Sequence, residues 1–135
     1  MTNQVVARFL DGRVVKGKTL DMDPSRPSFH LRSALHPPIE VQLAELKALF
    51  FVKDLSGDPE RVDAMELSAE DSRARGAQPI EVEFEDGERV VGLTVRYPPV
   101  RPYFYVLPAD ERSNNIRILV NKAAVVRMGR PSAAA

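Results

Sequence analysis

Few side chains in this sequence are of types that do covalent chemistry. His30 and His36 are its two histidines, six residues apart and outside any HExxH spacing, and cysteine is absent. A metal centre or thiol chemistry therefore has no ligand set to build on. Asp21 and Asp23 could share a strand face as a carboxylate pair, but their place reads as a solvated strand end. No Gly-x-Ser-x-Gly, P-loop or Gly-x-Gly-x-x-Gly occurs. The expectation is a protein that is not an enzyme and carries no metal or cofactor. What remains suits recognition. Arg26 and Arg101 each precede Pro-x-Phe, and a guanidinium can fork onto an anion. Tyr103 and Tyr105 share a strand face opposite Phe104, so an inward Phe104 would leave both tyrosines exposed beside arginine. Asn114, Asn115 and Arg117 complete the candidate binding residues, which suit base stacking or a protein hot spot.

The elements that must position these residues come in two copies. A shift of 75 residues lays Val5–Lys53 over Ile80–Met128 with 13 identities in 49 positions. They include Asp11-Gly12 on Asp86-Gly87, Gly17 on Gly92, and Pro24, Arg26, Pro27 and Phe29 on Pro99, Arg101, Pro102 and Phe104. Lys47 and Ala48 fall on Lys122 and Ala123. The chain reads as a duplication. Val5–Leu10 and Ile80–Glu85 alternate as strands, and Asp-Gly supplies the turn of a hairpin at Gly12 and Gly87. The returning strands Arg13–Asp21 and Glu88–Tyr97 each hold one glycine, Gly17 or Gly92, where a small sheet would bend. Proline-rich corners at 22–27 and 97–102 follow, then a third strand at Ser28–Arg32 or Tyr103–Leu107 that turns Phe29 or Phe104 inward. A fourth strand is expected near Ile39–Leu43 or Ile116–Val120, and a fifth near Leu46–Val52 or Ala123–Met128. Five short bent antiparallel strands make a small barrel.

The domain reading is a first barrel over 1–53, an acidic linker over 54–79 with a short helix near 59–68, a second barrel over 80–130, and a disordered tail over 131–135. Charge supports the linker. The whole chain balances 19 Lys/Arg against 19 Asp/Glu, while 54–79 holds 3 against 7. A neutral chain has no global field for nucleic acid. Arginine outnumbers lysine 14 to 5, which favours planar, bidentate contacts over diffuse attraction. No run approaches the ~20 apolar residues of a membrane span, and the N-terminus lacks the pattern of a signal peptide. A cytoplasmic protein without membrane contact is expected.

The first half of each unit resembles the Sm-like family of small RNA-associated barrels that includes bacterial Hfq. Gly12, Gly17 and Asp23 keep that family's spacing ahead of Phe29-His30-Leu31, and Gly87 and Gly92 keep it again, with Pro98 at the Asp position. The resemblance implies a pair of tandem five-stranded barrels. Its RNA contacts do not carry over: Pro24-Ser25-Arg26-Pro27 stands where an Asn would follow the Asp. Leu43-Ala44-Glu45 and Val120-Asn121-Lys122 replace the Arg-Gly or Lys-His turn. The phrases Asp11-Gly12, Phe50-Phe51-Val52-Lys53-Asp54, Arg101-Pro102-Tyr103-Phe104 and Ser113-Asn114-Asn115-Ile116-Arg117 also look like an uncharacterised bacterial family of such tandem units, which implies no activity. The functional expectation is a binding or adaptor module, regulatory and directed at a protein partner. RNA or nucleotide binding through arginine and tyrosine surfaces is the alternative. The outer strand edges, read as Ile39–Leu43 or Leu46–Phe51 and Arg117–Val120 or Val125–Met128, lack proline and could pair two copies into a homodimer.

Overall fold

A computed structural model describes residues 3–57, 63–65, 73 and 76–131. Ten strands follow in order: β1 (Asn3–Phe9), β2 (Val14–Thr19), β3 (Ser28–Ser33), β4 (His36–Gln42), β5 (Leu46–Val52), β6 (Gln78–Phe84), β7 (Arg89–Thr94), β8 (Tyr103–Pro108), β9 (Asn115–Asn121) and β10 (Val125–Gly129). Short 3-10 turns at Leu43–Glu45 and Lys122–Ala124 lead into β5 and β10. The described residues hold no α-helix, so the chain is all-β. Of the helix expected near 59–68, only Asp63–Met65 are described, and they are irregular. Residues 132–135 of the expected tail also lie outside the described residues.

The strand ranges of the second half repeat those of the first at an offset of 75 through β3 and β8, and at 79 from β4 and β9 onward. The cause is local. Ala34–Leu35 joins β3 to β4, whereas Ala109–Asn114 joins β8 to β9. This corrects the ungapped alignment: Lys47 lies in β5 and Lys122 in a 3-10 turn, so these two lysines are not equivalent.

The larger correction concerns the barrels. All ten strands form one open antiparallel sheet in the order β10-β6-β7-β8-β9-β5-β1-β2-β3-β4, not two separate barrels. The join is β5 against β9, with Leu49 opposite Leu119 and Phe50 opposite Ile118. Two of the edges expected to be open, Leu46–Phe51 and Arg117–Val120, close on each other there. The outermost strands are β4 and β10, and β4 contains Pro37 and Pro38.

The sheet curls. β5 and β4 stand four places apart, roughly 19 Å across a flat sheet at about 4.8 Å per step. Even so, Leu46, Leu49 and Phe51 of β5 share a cluster with Val41 of β4 and Phe29 and Leu31 of β3. Gly17 and Gly92 permit the curl, because β3 and β8 cross them at backbone contact distance. At the hairpins, Gly12 and Gly87 take φ of 94° and 91°, a region glycine enters at little cost. A second cluster is built on Ile80, Val82, Phe84, Phe104 and Val106, and it takes in Val6, Ala48, Phe50 and Val52 from the first half. Strand β5 is therefore buried on both faces over its whole length. Its unbroken run Leu-Lys-Ala-Leu-Phe-Phe-Val is the sequence form of such a strand. Each phenylalanine contributes about 2–3 kcal/mol by burial.

Candidate binding site at the two corners

The corner between β2 and β3 is tied down by its own carboxylates. Asp23 accepts from the Ser25 amide at 2.9 Å and the Ser25 hydroxyl at 2.7 Å. Asp21 meets His30 Nδ1 at 2.6 Å and accepts from the His30 amide at 2.9 Å. The His30 imidazole holds the Asp21 carboxyl below the usual carboxylate range, and the Ser25 hydroxyl does the same for Asp23. Both acids are thus committed within the corner, and they form no pair with each other. Arg26 stands at a long 4.0 Å from Asp23.

The corner between β7 and β8 is built differently. The two halves share their offset here, so Arg96 occupies the place of Asp21, Pro98 that of Asp23, and Tyr105 that of His30. The acid–imidazole pair of the first corner becomes a guanidinium and a phenol in the second. Lys122 holds this corner in place, donating from Nζ to the Pro99 carbonyl and from its amide to that of Pro102, each at 2.9 Å. Thr94 Oγ1 donates to the Tyr105 carbonyl at 3.0 Å.

The two corners face each other across a cavity of about 900 Å³. Arg26 and Arg101 both line it, as do Tyr103 and Tyr105, so four of the residues singled out from sequence come together here. Arg96 joins them. The sequence reading missed it because it matches no identity in the repeat; its signal was the exchange of charge against Asp21. Among the described residues neither Arg96 nor Arg101 has an ion-pair partner. No carboxylate lines the cavity, and its walls include Val95 and Val100, which are 81% and 70% exposed.

The tyrosines correct an expectation. Phe104 does point into a core, but Tyr103 and Tyr105 are half-buried against the other cluster. Because β8 lies within a sheet that curls around both clusters, neither of its faces is fully open. Phe51 approaches the Tyr105 ring with centroids 6.0 Å apart, and the Arg117 guanidinium lies 4.7 Å from it and 4.4 Å from Phe51. Arg117 is stacked between these rings and does not line the cavity. Burial pushes the Tyr105 phenol above its ordinary pKa, with Arg117 opposing and Asp23 reinforcing, so it stays protonated and able to donate.

Asn114 and Asn115 lie elsewhere, beside a second cavity of about 680 Å³ under the connector. Asn114 brackets Asp54, accepting from its amide at 3.0 Å and donating to its carbonyl at 2.8 Å. Ser113 donates to Asp63, Asp110 accepts from the Ala64 amide, and Arg73 donates to the Pro108 and Ala109 carbonyls. The longer β8–β9 turn is thus the dock of the connector, and of the residues expected to bind ligand it employs Asn114. Among the described residues no set of three or more His, Asp or Glu stands ready to hold a metal. No described helix is long and apolar enough to cross a membrane.

An arginine-lined cavity with no carboxylate in its lining, on an all-β sheet, defines a site that can hold an anionic ligand. Residues 1–129 match DUF6982, a family of unknown function, and the chain belongs to that family. No curated protein and no solved structure matches it closely enough to be called similar.

Proposed function

We propose that this protein is a non-enzymatic, cytoplasmic binding module that regulates a protein partner docked at the corner cavity. In this reading its two halves are duplicated Sm-like units that share one seam. The carrying observation is the composition of the walls. Exposed Val95, Val100, Pro27 and Pro102 offer apolar surface, while Arg96 and Arg101 bring charge that no ion pair among the described residues neutralises. Apolar anchors beside arginine are what protein hot spots use.

Binding of single-stranded RNA is the second reading, favoured by the same arginines and by the tyrosines. Against it, the Tyr105 ring is already packed by Phe51 and Arg117, which leaves little face for a base. A photo-crosslinking side chain at Val100, with one at Lys18 as control, separates the two. A protein adduct formed from position 100 alone is the expected result. An RNA adduct, with binding that falls steeply as salt rises, would put the second reading first. Two copies can also pair through the outermost strands, β4 and β10.

A further inference from the structure

We infer that the corner cavity takes an acidic, extended segment of a partner protein, its carboxylates on Arg26, Arg96 and Arg101 and its aliphatic or proline side chains on Val95 and Val100. The inference rests on the docking reading above and adds the chemistry of the occupant.

Charge is the first argument. The chain is neutral overall, and the cavity under the connector balances Arg8, Lys16 and Arg89 against Asp63, Glu88 and Asp110. The corner cavity has three arginines and no acid in its lining, and only Arg26 has a carboxylate beside it, Asp23 at 4.0 Å. That imbalance comes from two replacements in the second corner, Arg96 for Asp21 and Pro98 for Asp23, which remove both carboxylates that fasten the first. Two guanidinium groups are left with their forks open, and each can take a carboxylate by two parallel hydrogen bonds.

The second argument concerns what else the walls can bond. Pro24, Pro27, Pro99 and Pro102 have no amide hydrogen, and the Ser25 and Arg26 amides are already bonded to Asp23, so the first corner offers a ligand no backbone donor. Side-chain recognition falls to the arginines and the Tyr103 and Tyr105 hydroxyls, all of which donate to oxygen. Exposed Val95 and Val100 add aliphatic surface that a peptide side chain can cover.

The test titrates the full-length, isotope-labelled chain with an acetylated, amidated hexapeptide of alternating Glu and Pro. The same peptide with Gln for Glu and a mixed single-stranded oligoribonucleotide run in parallel, all read by amide chemical shifts. The inference expects saturable shifts at Arg26 and over Val95–Tyr105 with the Glu peptide, and none with the Gln peptide. Affinity should fall roughly tenfold or more in Arg96→Gln and in Arg101→Gln, the loss of a charged hydrogen-bonding partner. Both side chains are exposed, so thermal melts should match the parent. Equal binding of the Gln peptide at the same residues would overturn the acidic chemistry and leave the docking reading standing. Shifts from the Glu peptide elsewhere, or nowhere, would overturn the inference. Shifts at these residues from the oligoribonucleotide alone would overturn both.

Discussion

At Gly17 a β-carbon would stand 2.4 Å from the Arg32 carbonyl oxygen and 2.5 Å from Leu31 Cδ2. At Gly92 it would stand 1.9 Å from the Leu107 carbonyl oxygen, with Val106 Cγ1 at 2.8 Å. The nearest obstacle in each case is backbone, which cannot rotate away. Gly17→Val and Gly92→Val are each expected to destabilise the protein by about 1–3 kcal/mol or more. Gly92→Val should be the worse of the two, and thermal melts of both variants are the check. The need for glycine was legible in the repeat, since two glycines recur in register. Its full reason was not, because one sequence does not show that β3 and β8 cross at that point. The candidate site divides the same way. Arg26 and Arg101 stood out as repeated identities, whereas Arg96 matters because it breaks the repeat. The orientation of Tyr103 and Tyr105 was illegible, since period-2 logic presumes a strand with one wet face and β8 has core on both.

Among the elements, the β6–β7 hairpin is fastened to β5 by one lysine. Lys47 Nζ lies 2.7 Å from Asp86 and 2.5 Å from Glu88, and 4.7 Å from the Phe84 ring centroid. The lysine side chain is 10% exposed while both carboxylates face water, so the contact is worth about 1 kcal/mol after screening. The Lys47 ammonium holds the Asp86 carboxyl below its ordinary range. A depressed carboxylate stabilises above its unfolded pKa and loses that contribution as pH falls through the folded value. Urea midpoints should therefore separate Lys47→Met from the parent most widely near neutral pH. The gap should narrow once pH drops below the carboxylate range, and a constant gap would reject the lock. Sequence could not single out this lysine, because its partners Asp86 and Glu88 lie 39 and 41 residues away and only the folded sheet brings them to β5.

The connector makes a second case at this scale. Its acidic composition predicts a free linker that trypsin would cut first at Arg73 or Arg75. Arg75 lies outside the described residues, but Arg73 is held by the Pro108 and Ala109 carbonyls at 2.9 and 3.2 Å. Cleavage at Arg73 should be slow in the parent and several-fold faster in Asn114→Ala, which frees both backbone groups of Asp54. Mass spectrometry of a digestion time course reads this directly.

For the molecule as a whole, the shared strand β5 decides how it unfolds. Its residues belong alternately to both clusters, and buried Asn121 of β9 donates to the Leu46 carbonyl at 2.8 Å. Melting followed by a probe in either half should give coincident curves, and a chain truncated after Gly57 should not fold alone. Two separable transitions would restore two independent units. The outer edges set the expectation for assembly. Pro37 and Pro38 of β4 offer no amide hydrogen, so pairing of copies through β4 should be weak. Light scattering over a concentration series is expected to show a monomer giving way to dimer only at high concentration. Replacing both prolines by Thr should strengthen association, and an unchanged profile would show that they guard nothing.

Strand β5 also sets a timetable. It leaves the ribosome with Ala48, Phe50 and Val52 directed at a core that does not yet exist, and with the edge meant for β9 bare. The residues from Lys53 to Asn114 must be made before β9 begins. At about 5–20 residues per second that interval lasts roughly 3–12 seconds. Throughout it the nascent first half presents an apolar strip beside an unpaired strand, which is a template for the wrong neighbour. The half translated first is thus the half that waits, and its folding is completed by the last strands to be made.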